Sequence, residues 1–222
     1  MKLGRMIRGE FHRRLNRFVC EVKLPTGKVK ALLRNTGRLG ELLTAGREVY
    51  VREKDGGKYA YELILVRGES SLVCVDSHLP PVLFLEFLKR ESRPWKVENY
   101  LREVKVGSSR FDLLINGSVL VETKSVNLVR DGVALFPDAP TRRGRKHITE
   151  LLDLGERYKP AIVFVIQRGD ARSFSPNTHT DPLFSEALRT FRDRGFTVKA
   201  LACEVSTEEI YIKGEIPVEV QT

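Results

Sequence analysis

The stretch "SRFDLLINGSVLVETKSV", residues 109–126, decides how the second half of the chain is read. Two apolar runs flank Asn116-Gly117, a strong short-range signal for a tight β-hairpin. Yet Asp112 stands inside the first run, between Phe111 and Leu113, and Glu122 and Lys124 stand two apart in the second. Strand side chains alternate, so Glu122 and Lys124 project from one face. Whether Asp112 joins them is a matter of register. A plain two-residue turn pairs Ile115 with Ser118 and Asp112 with Val121, which turns Asp112 away from Glu122. One extra loop residue, or a bulge, brings Asp112 opposite Glu122 instead. Glu-x-Lys pairs are most often exposed strand faces. An Asp among apolar neighbours, in a position poorly suited to a strand, argues for chemistry here.

The reaction such a set of residues suits is phosphodiester hydrolysis. It needs a cation to neutralise developing charge and to lower the pKa of the attacking water. Mg²⁺ or Mn²⁺ takes oxygen ligands, so Asp112 and Glu122 are the candidate metal ligands. Lys124 is placed to orient the water or to stabilise the transition state.

The elements around the hairpin agree. "PVLFLEFLKRES" (81–92) reads as a helix, and "VENYLREVKV" (97–106) as the strand before the hairpin. "TRRGRKHITELLDLGERY" (141–158) is helical, with Ile148, Leu151 and Leu152 on one face. "AIVFVIQ" (161–167) is a continuous apolar run, as in a strand buried on both sides. Asp181-Pro182 starts a further helix with Asp as cap, and 196–205 and 209–220 finish as strands. A meander, a crossover helix and a parallel strand give an α/β mixed sheet, the core of the PD-(D/E)xK nuclease-like architecture. The helix after the hairpin also delivers Arg142, Arg143, Arg145 and Lys146 to the same end of the sheet, as candidate contacts for a nucleic-acid backbone. Four cations at a helix N-terminus oppose its dipole, which favours a bound anion there.

The first part of the chain is different. Strand-like segments at 17–24, 28–34, 47–53, 58–66 and 71–75 are separated by turn signals, and 34–46 is a longer connection. Five short strands point to a compact barrel, most economically an OB-fold. The expected division is an OB-like barrel over 1–80 and a nuclease-like domain over 81–222, with Pro80-Pro81 at the boundary. Basic charge is concentrated in front: residues 1–80 carry 16 Lys and Arg against 9 Asp and Glu, and residues 81–222 carry 22 against 20. Such an excess suits phosphate-rich partners, and it also serves plain solubility. Arg13, Arg14, Arg34 and Arg38 are the candidate contacts of the barrel, with Phe11, Phe18, Tyr50, Tyr59 and Tyr61 as stacking platforms or core filler.

Other classes fall away. No apolar run reaches the roughly 20 residues that span a membrane, and the N-terminus "MKLGRMIRGEF" lacks a signal-peptide core. Cys20, Cys74 and Cys203 are odd in number and sit in apolar runs, as reduced thiols without a disulfide partner. A cytoplasmic protein is expected. Its four His residues are scattered, against a His-based zinc site. No helix-turn-helix with a clear recognition helix appears.

The chain resembles the sugar fermentation stimulation protein A family through "NTG" (35–37), "SRFD" (109–112), "ETKSV" (122–126), "FPDAPTRRGRKH" (136–147) and "FSPNTHTDP" (174–182). The resemblance implies an OB-fold joined to a PD-(D/E)xK-like domain, DNA binding, and a link by name to sugar (maltose) metabolism. By position it implies that Asp112, Glu122 and Lys124 form the nuclease-type signature. It also places Lys146 and His147 in the family's basic-helix motif, where related nucleases carry a polar residue facing the site. Thr123 replaces the more usual aliphatic residue and is expected on the opposite face. The favoured reading is sequence-tolerant DNA binding. The alternatives are a Mg²⁺- or Mn²⁺-dependent nuclease, and a sugar-responsive or protein-binding regulator.

Overall fold

The computed structural model describes residues 1–219. Five strands close the barrel: β1 (Met6–Asn16), β2 (Val19–Leu24), β3 (Gly27–Leu32), β4 (Glu48–Glu53) and β5 (Tyr61–Arg67). The order β3-β2-β1-β4-β5 is closed by parallel pairing of β3 with β5, through Ala31↔Tyr61 and Leu32↔Glu62. A short β6 (Leu72–Cys74) continues from β5. The OB-like expectation holds, with one correction. The sequence reading assigns no strand before residue 17, whereas β1 is the strand that pairs with both β2 and β4. Its signal is hidden because Phe11 is its one fully buried residue and two irregularities, at Phe11/Arg13 and Arg14/Asn16, break the alternation.

The rest of the described chain runs α1 (Pro80–Glu91), β7 (Tyr100–Val106), β8 (Ser109–Ile115), β9 (Val119–Val126), β10 (Leu128–Arg130), β11 (Val133–Phe136), α2 (Arg142–Asp153), β12 (Lys159–Ile166), β13 (Ser173–Pro176), α3 (Pro182–Asp193), β14 (Thr197–Val205) and β15 (Ile210–Ile216). The main sheet has the order β15-β14-β12-β9-β8-β7. It is mixed as expected: β12 is parallel to β9 and to β14, and the other pairs are antiparallel. The small sheet β10-β11-β13 is not foreseen by the sequence, because its strands are three or four residues long. Val220, the last residue of the expected final strand, lies outside the described residues.

Helix α1 covers one face of the sheet and α2 with α3 the other. Strand β12 explains its own apolar run: Ala161, Val163 and Val165 enter the first core, and Ile162, Phe164 and Ile166 the second. Asp181 caps α3 by accepting from Phe184 N at 3.0 Å, with Pro182 in its first turn. Among the described residues no helix is long and apolar enough to cross a membrane. The three cysteines are free and buried, and burial pushes the Cys20 and Cys74 thiols up to about 12.

The two halves are joined by more than a linker. Ile64, Leu65, Leu72 and Cys74 of the barrel share a core with Phe84 and Leu88 of α1 and Val163 of β12. Buried amides cross the same seam. Asn35 Nδ2 donates to Asn127 Oδ1 at 3.0 Å, Asn127 Nδ2 to Cys74 O at 2.7 Å, and Gln167 Nε2 to Asp76 O at 2.9 Å. Each buried amide is costly to leave unpaired, so these bonds fix one relative placement of barrel and sheet.

Candidate functional site

The hairpin at the centre has its tight turn and its register slip together. Asn116 and Gly117 both have positive φ, 49° and 64°, and Ser118 N donates to Ile115 O at 3.1 Å. That is the turn expected of Asn-Gly. Ser118 then stays out of the ladder, and the next pair is Ile115↔Val119, followed by Leu114↔Leu120 and Leu113↔Val121. Continued one step, this register sets Asp112 opposite Glu122, as the metal hypothesis requires. The ladder stops there. Phe111 belongs to the core under α2 and α3 while Leu113 belongs to the core under α1, although residues two apart in a regular strand share a face. Asp112 sits at this slip, and Glu103, across from it in β7, has a φ of 52°. The strain lies where the strands part.

The open edge corrects one expectation. Thr123 does not turn away from Asp112. Its N–H and its hydroxyl both donate to Asp112 Oδ2, at 2.7 and 2.6 Å. With no ladder partner at this position, the carboxylate takes the backbone donor.

Glu122 is 5% exposed. Its Oε1 meets Lys124 Nζ at 2.5 Å and His147 Nδ1 at 2.5 Å. Its Oε2 is buried with no hydrogen-bond partner. His147 comes from α2, where it is buried and lies 5.6 Å from the Phe111 ring. Thus Asp112, Glu122, Lys124 and His147 are brought together. Burial, and then the like charge of Glu122, push the Asp112 carboxyl above the usual aspartate range, against its bonds to Thr123. Burial also acts to raise Glu122, but the Lys124 ammonium and His147 outweigh it and hold Glu122 below the usual glutamate range. Two neighbouring carboxyls are therefore driven apart, a pattern common where one site needs two protonation behaviours.

Asp112, Glu122 and Lys124 border a cleft of about 650 Å³ between barrel and sheet, with His147 buried behind Glu122. Its far wall is the barrel loop with Asn35, Thr36 and Gly37, and its near wall the 136–141 segment before α2. The walls touch: Asp138 Oδ2 accepts from Leu39 N at 3.2 Å. A Cβ on Gly37 would stand 2.5 Å from the same oxygen, so any other residue would have to push that carboxylate aside. Sequence reasoning quoted both motifs without foreseeing that they meet.

The candidate cations divide. Arg142, Arg143 and Lys146 are exposed on the first turns of α2, and Arg143 reaches the cleft. Arg145 is committed elsewhere: it pairs with Asp181 Oδ1 at 2.7 Å, while Asp181 Oδ2 accepts from Thr141 N. A carboxylate of the chain itself thus sits at the α2 N-terminus, which removes the helix-dipole argument for a bound anion there. In the barrel, Arg14 spends its guanidinium on carbonyls of Asn16, Arg17, Asn35, Gly37 and Arg38. Arg34 is held by the buried Glu62 together with Arg52. Arg13 pairs with Glu21 at the surface, and Arg38 has an exposed side chain. Charge can be counted from sequence; the partner that uses it cannot.

Comparison with known proteins bears on this architecture. A model of the "SfsA N-terminal OB domain" matches residues 13–75, and one of the "Sugar fermentation stimulation protein RE domain" matches residues 78–209. The chain belongs to the sugar fermentation stimulation protein (SfsA) family. Among the family's members, a sugar fermentation stimulation protein homolog of Aquifex aeolicus is 53% identical over 213 residues, covering 96% of this chain and 97% of that one. A homolog of Desulforamulus reducens is 42% identical over 224 residues, covering 98% and 94%. The solved structure of Pyrococcus furiosus SfsA in complex with Ca²⁺ superposes with a TM-score of 0.91 at 33% identity, over 99% of this chain and 98% of that one.

Proposed function

We propose that this chain binds DNA in the cleft with little sequence preference and hydrolyses its phosphodiester backbone with a divalent cation, Mg²⁺ or Mn²⁺. The observation that carries the reading is the buried, unpartnered Oε2 of Glu122 beside Asp112. A buried carboxylate oxygen without a donor is costly, and a cation is the partner that suits it. Among the described residues no group of three or more His, Cys, Asp and Glu side chains is arranged to hold a metal. Two carboxylates are nevertheless the usual protein share for Mg²⁺, which keeps several waters and takes further oxygens from substrate phosphate. The donor set therefore fits. The Pyrococcus furiosus relative is described in complex with Ca²⁺, another cation that takes oxygen ligands.

In this reading Asp112 and Glu122 Oε2 hold the cation. When bound, it supplies charge neutralisation at the phosphate and lowers the pKa of the attacking water. Lys124 keeps Glu122 ionised and sets a positive charge beside the reacting phosphate. His147 braces Glu122 Oε1 from α2, so that Oε2 is the oxygen left without a partner. Arg142, Arg143 and Lys146 hold the flanking backbone as exposed point charges.

A second reading is DNA retention without cutting. It is favoured by the double use of Glu122 Oε1, which Lys124 and His147 together already neutralise in part. One experiment separates the two. Plasmid and single-stranded DNA are incubated with the protein in Mn²⁺ or chelator, beside Lys124→Ala. Mn²⁺-dependent cutting lost in the variant supports the nuclease. Salt-sensitive retention of intact DNA supports the second reading, and absence of both overturns the nucleic-acid role.

A further inference from the structure

We propose that Phe18, on the turn between β1 and β2, stacks an unpaired base of single-stranded nucleic acid whose backbone continues into the cleft. This rests on the nucleic-acid reading above and adds the form of the substrate.

The barrel offers five aromatic residues as platforms, and the structure distinguishes them. Phe11 is buried in the barrel core. Tyr61 is half-buried against the same core, and Tyr50 donates its hydroxyl to Glu48 at 2.9 Å. Tyr59 is half-buried, with Lys58 Nζ 5.7 Å from its ring centroid. Phe18 is 54% exposed. A single exposed apolar side chain is ordinary on a protein surface. Three further features set this one apart.

The first is rigidity. Phe18 N donates to Asn16 Oδ1 at 2.9 Å, and Phe18 O accepts from Leu33 N at 2.8 Å. The backbone under the ring is fixed, so little ordering remains for a ligand to impose. The second is position. Arg14 donates to the carbonyls of Asn16 and Arg17 on the Phe18 turn, to those of Asn35 and Gly37 on the cleft wall, and to that of Arg38 just beyond it. One partly buried guanidinium thus makes the turn and the wall a single body. The third is charge. Arg17 and Arg38 have exposed side chains on the two segments that Arg14 joins. An exposed flat ring with exposed cations on the two joined segments matches a single strand: the ring takes a base face and the cations take neighbouring phosphates. A duplex hides its base faces in the stack and offers the ring nothing.

The test measures affinity of the full chain, in chelator to prevent cutting, for an oligothymidylate and for a duplex of equal length. The variants are Phe18→Ala and Phe18→Trp, and the exposure of the side chain means that neither burdens folding. Loss of one stacked base is expected to weaken single-strand binding by about tenfold, with duplex binding unchanged. Phe18→Trp should keep the single-strand affinity, and its indole fluorescence should be quenched by the oligothymidylate. Unchanged single-strand affinity in Phe18→Ala, or an equal loss for both forms, overturns the stacking role. If the unsubstituted chain retains neither form, the nucleic-acid reading of the cleft itself fails. That result differs from retention insensitive to Phe18.

Discussion

Asp112 Oδ2 is bonded twice by one residue, Thr123, through its N–H at 2.7 Å and its hydroxyl at 2.6 Å. These two donors are the main local counterweight to burial and to Glu122, which together raise the Asp112 carboxyl. Thr123→Val keeps the N–H and the shape but removes the hydroxyl. The Asp112 carboxyl should then rise further, and Mn²⁺ affinity at mildly acid pH should fall roughly tenfold, the scale of one hydrogen bond to a charged group. Above neutral pH the loss should shrink. Calorimetric Mn²⁺ titrations at several pH values check this, and an equal loss at every pH would count against it.

Because Asp112 titrates higher folded than unfolded, its proton is bound more tightly in the native state. The associated stability is complete below the unfolded value, about 3.9, and is lost as pH rises through the folded value. At neutral pH the ionised side chain therefore destabilises the fold. Asp112→Asn should melt higher than the unsubstituted protein at pH 7, with the gap closing in acid, while Mn²⁺ binding disappears. Melting curves in chelator at pH 4 and pH 7 decide it. A lower melting temperature at pH 7 would contradict the argument.

Glu122 and Lys124 form a buried pair, with side chains 6% and 11% exposed. Removing one partner leaves the other charge without its counterion. Glu122→Gln is expected to cost about 3 kcal/mol and to abolish cation binding. Lys124→Met should abolish cutting and leave Glu122 with a pKa above its native one. Urea unfolding and Mn²⁺ titration of both variants test this. A Glu122→Gln protein of native stability would remove the ionic account of the pair.

Cations of the two halves should respond in opposite ways. Arg142→Ala with Arg143→Ala, on exposed positions of α2, should leave stability unchanged, weaken DNA binding and flatten its salt dependence. Arg14→Ala should instead cost stability, about 2 kcal/mol or more for the carbonyls it leaves without a donor. Denaturation and salt-dependent retention, measured side by side, give the comparison.

Much of this site was legible from residue order, and what was not has identifiable causes. Asn116-Gly117 announces a turn, and the polar residues beyond it announce a face, so the hairpin and its required slip followed from alternation alone. The slip itself depends on Ser118 staying out of the ladder, where nothing in the residue types forces it. Strand β1 escaped because two irregularities scatter its outward residues. The reach of Thr123 to Asp112 depends on two strands parting, which alternation does not express. The roles of Arg14, Arg34 and Arg145 depend on carbonyls and acids distant in the chain.

The core that runs from Ile64 and Leu65 into Phe84 and Val163 also limits how the two halves can be exchanged. Neither half presents a finished surface to its neighbour, because each leaves apolar side chains for the other to cover. A barrel cut out on its own would carry a raw apolar face and would be prone to clump. Grafting the barrel of one relative onto the sheet of another should succeed only when the residues on both sides of the seam travel together. What looks in sequence like two interchangeable modules is physically one piece.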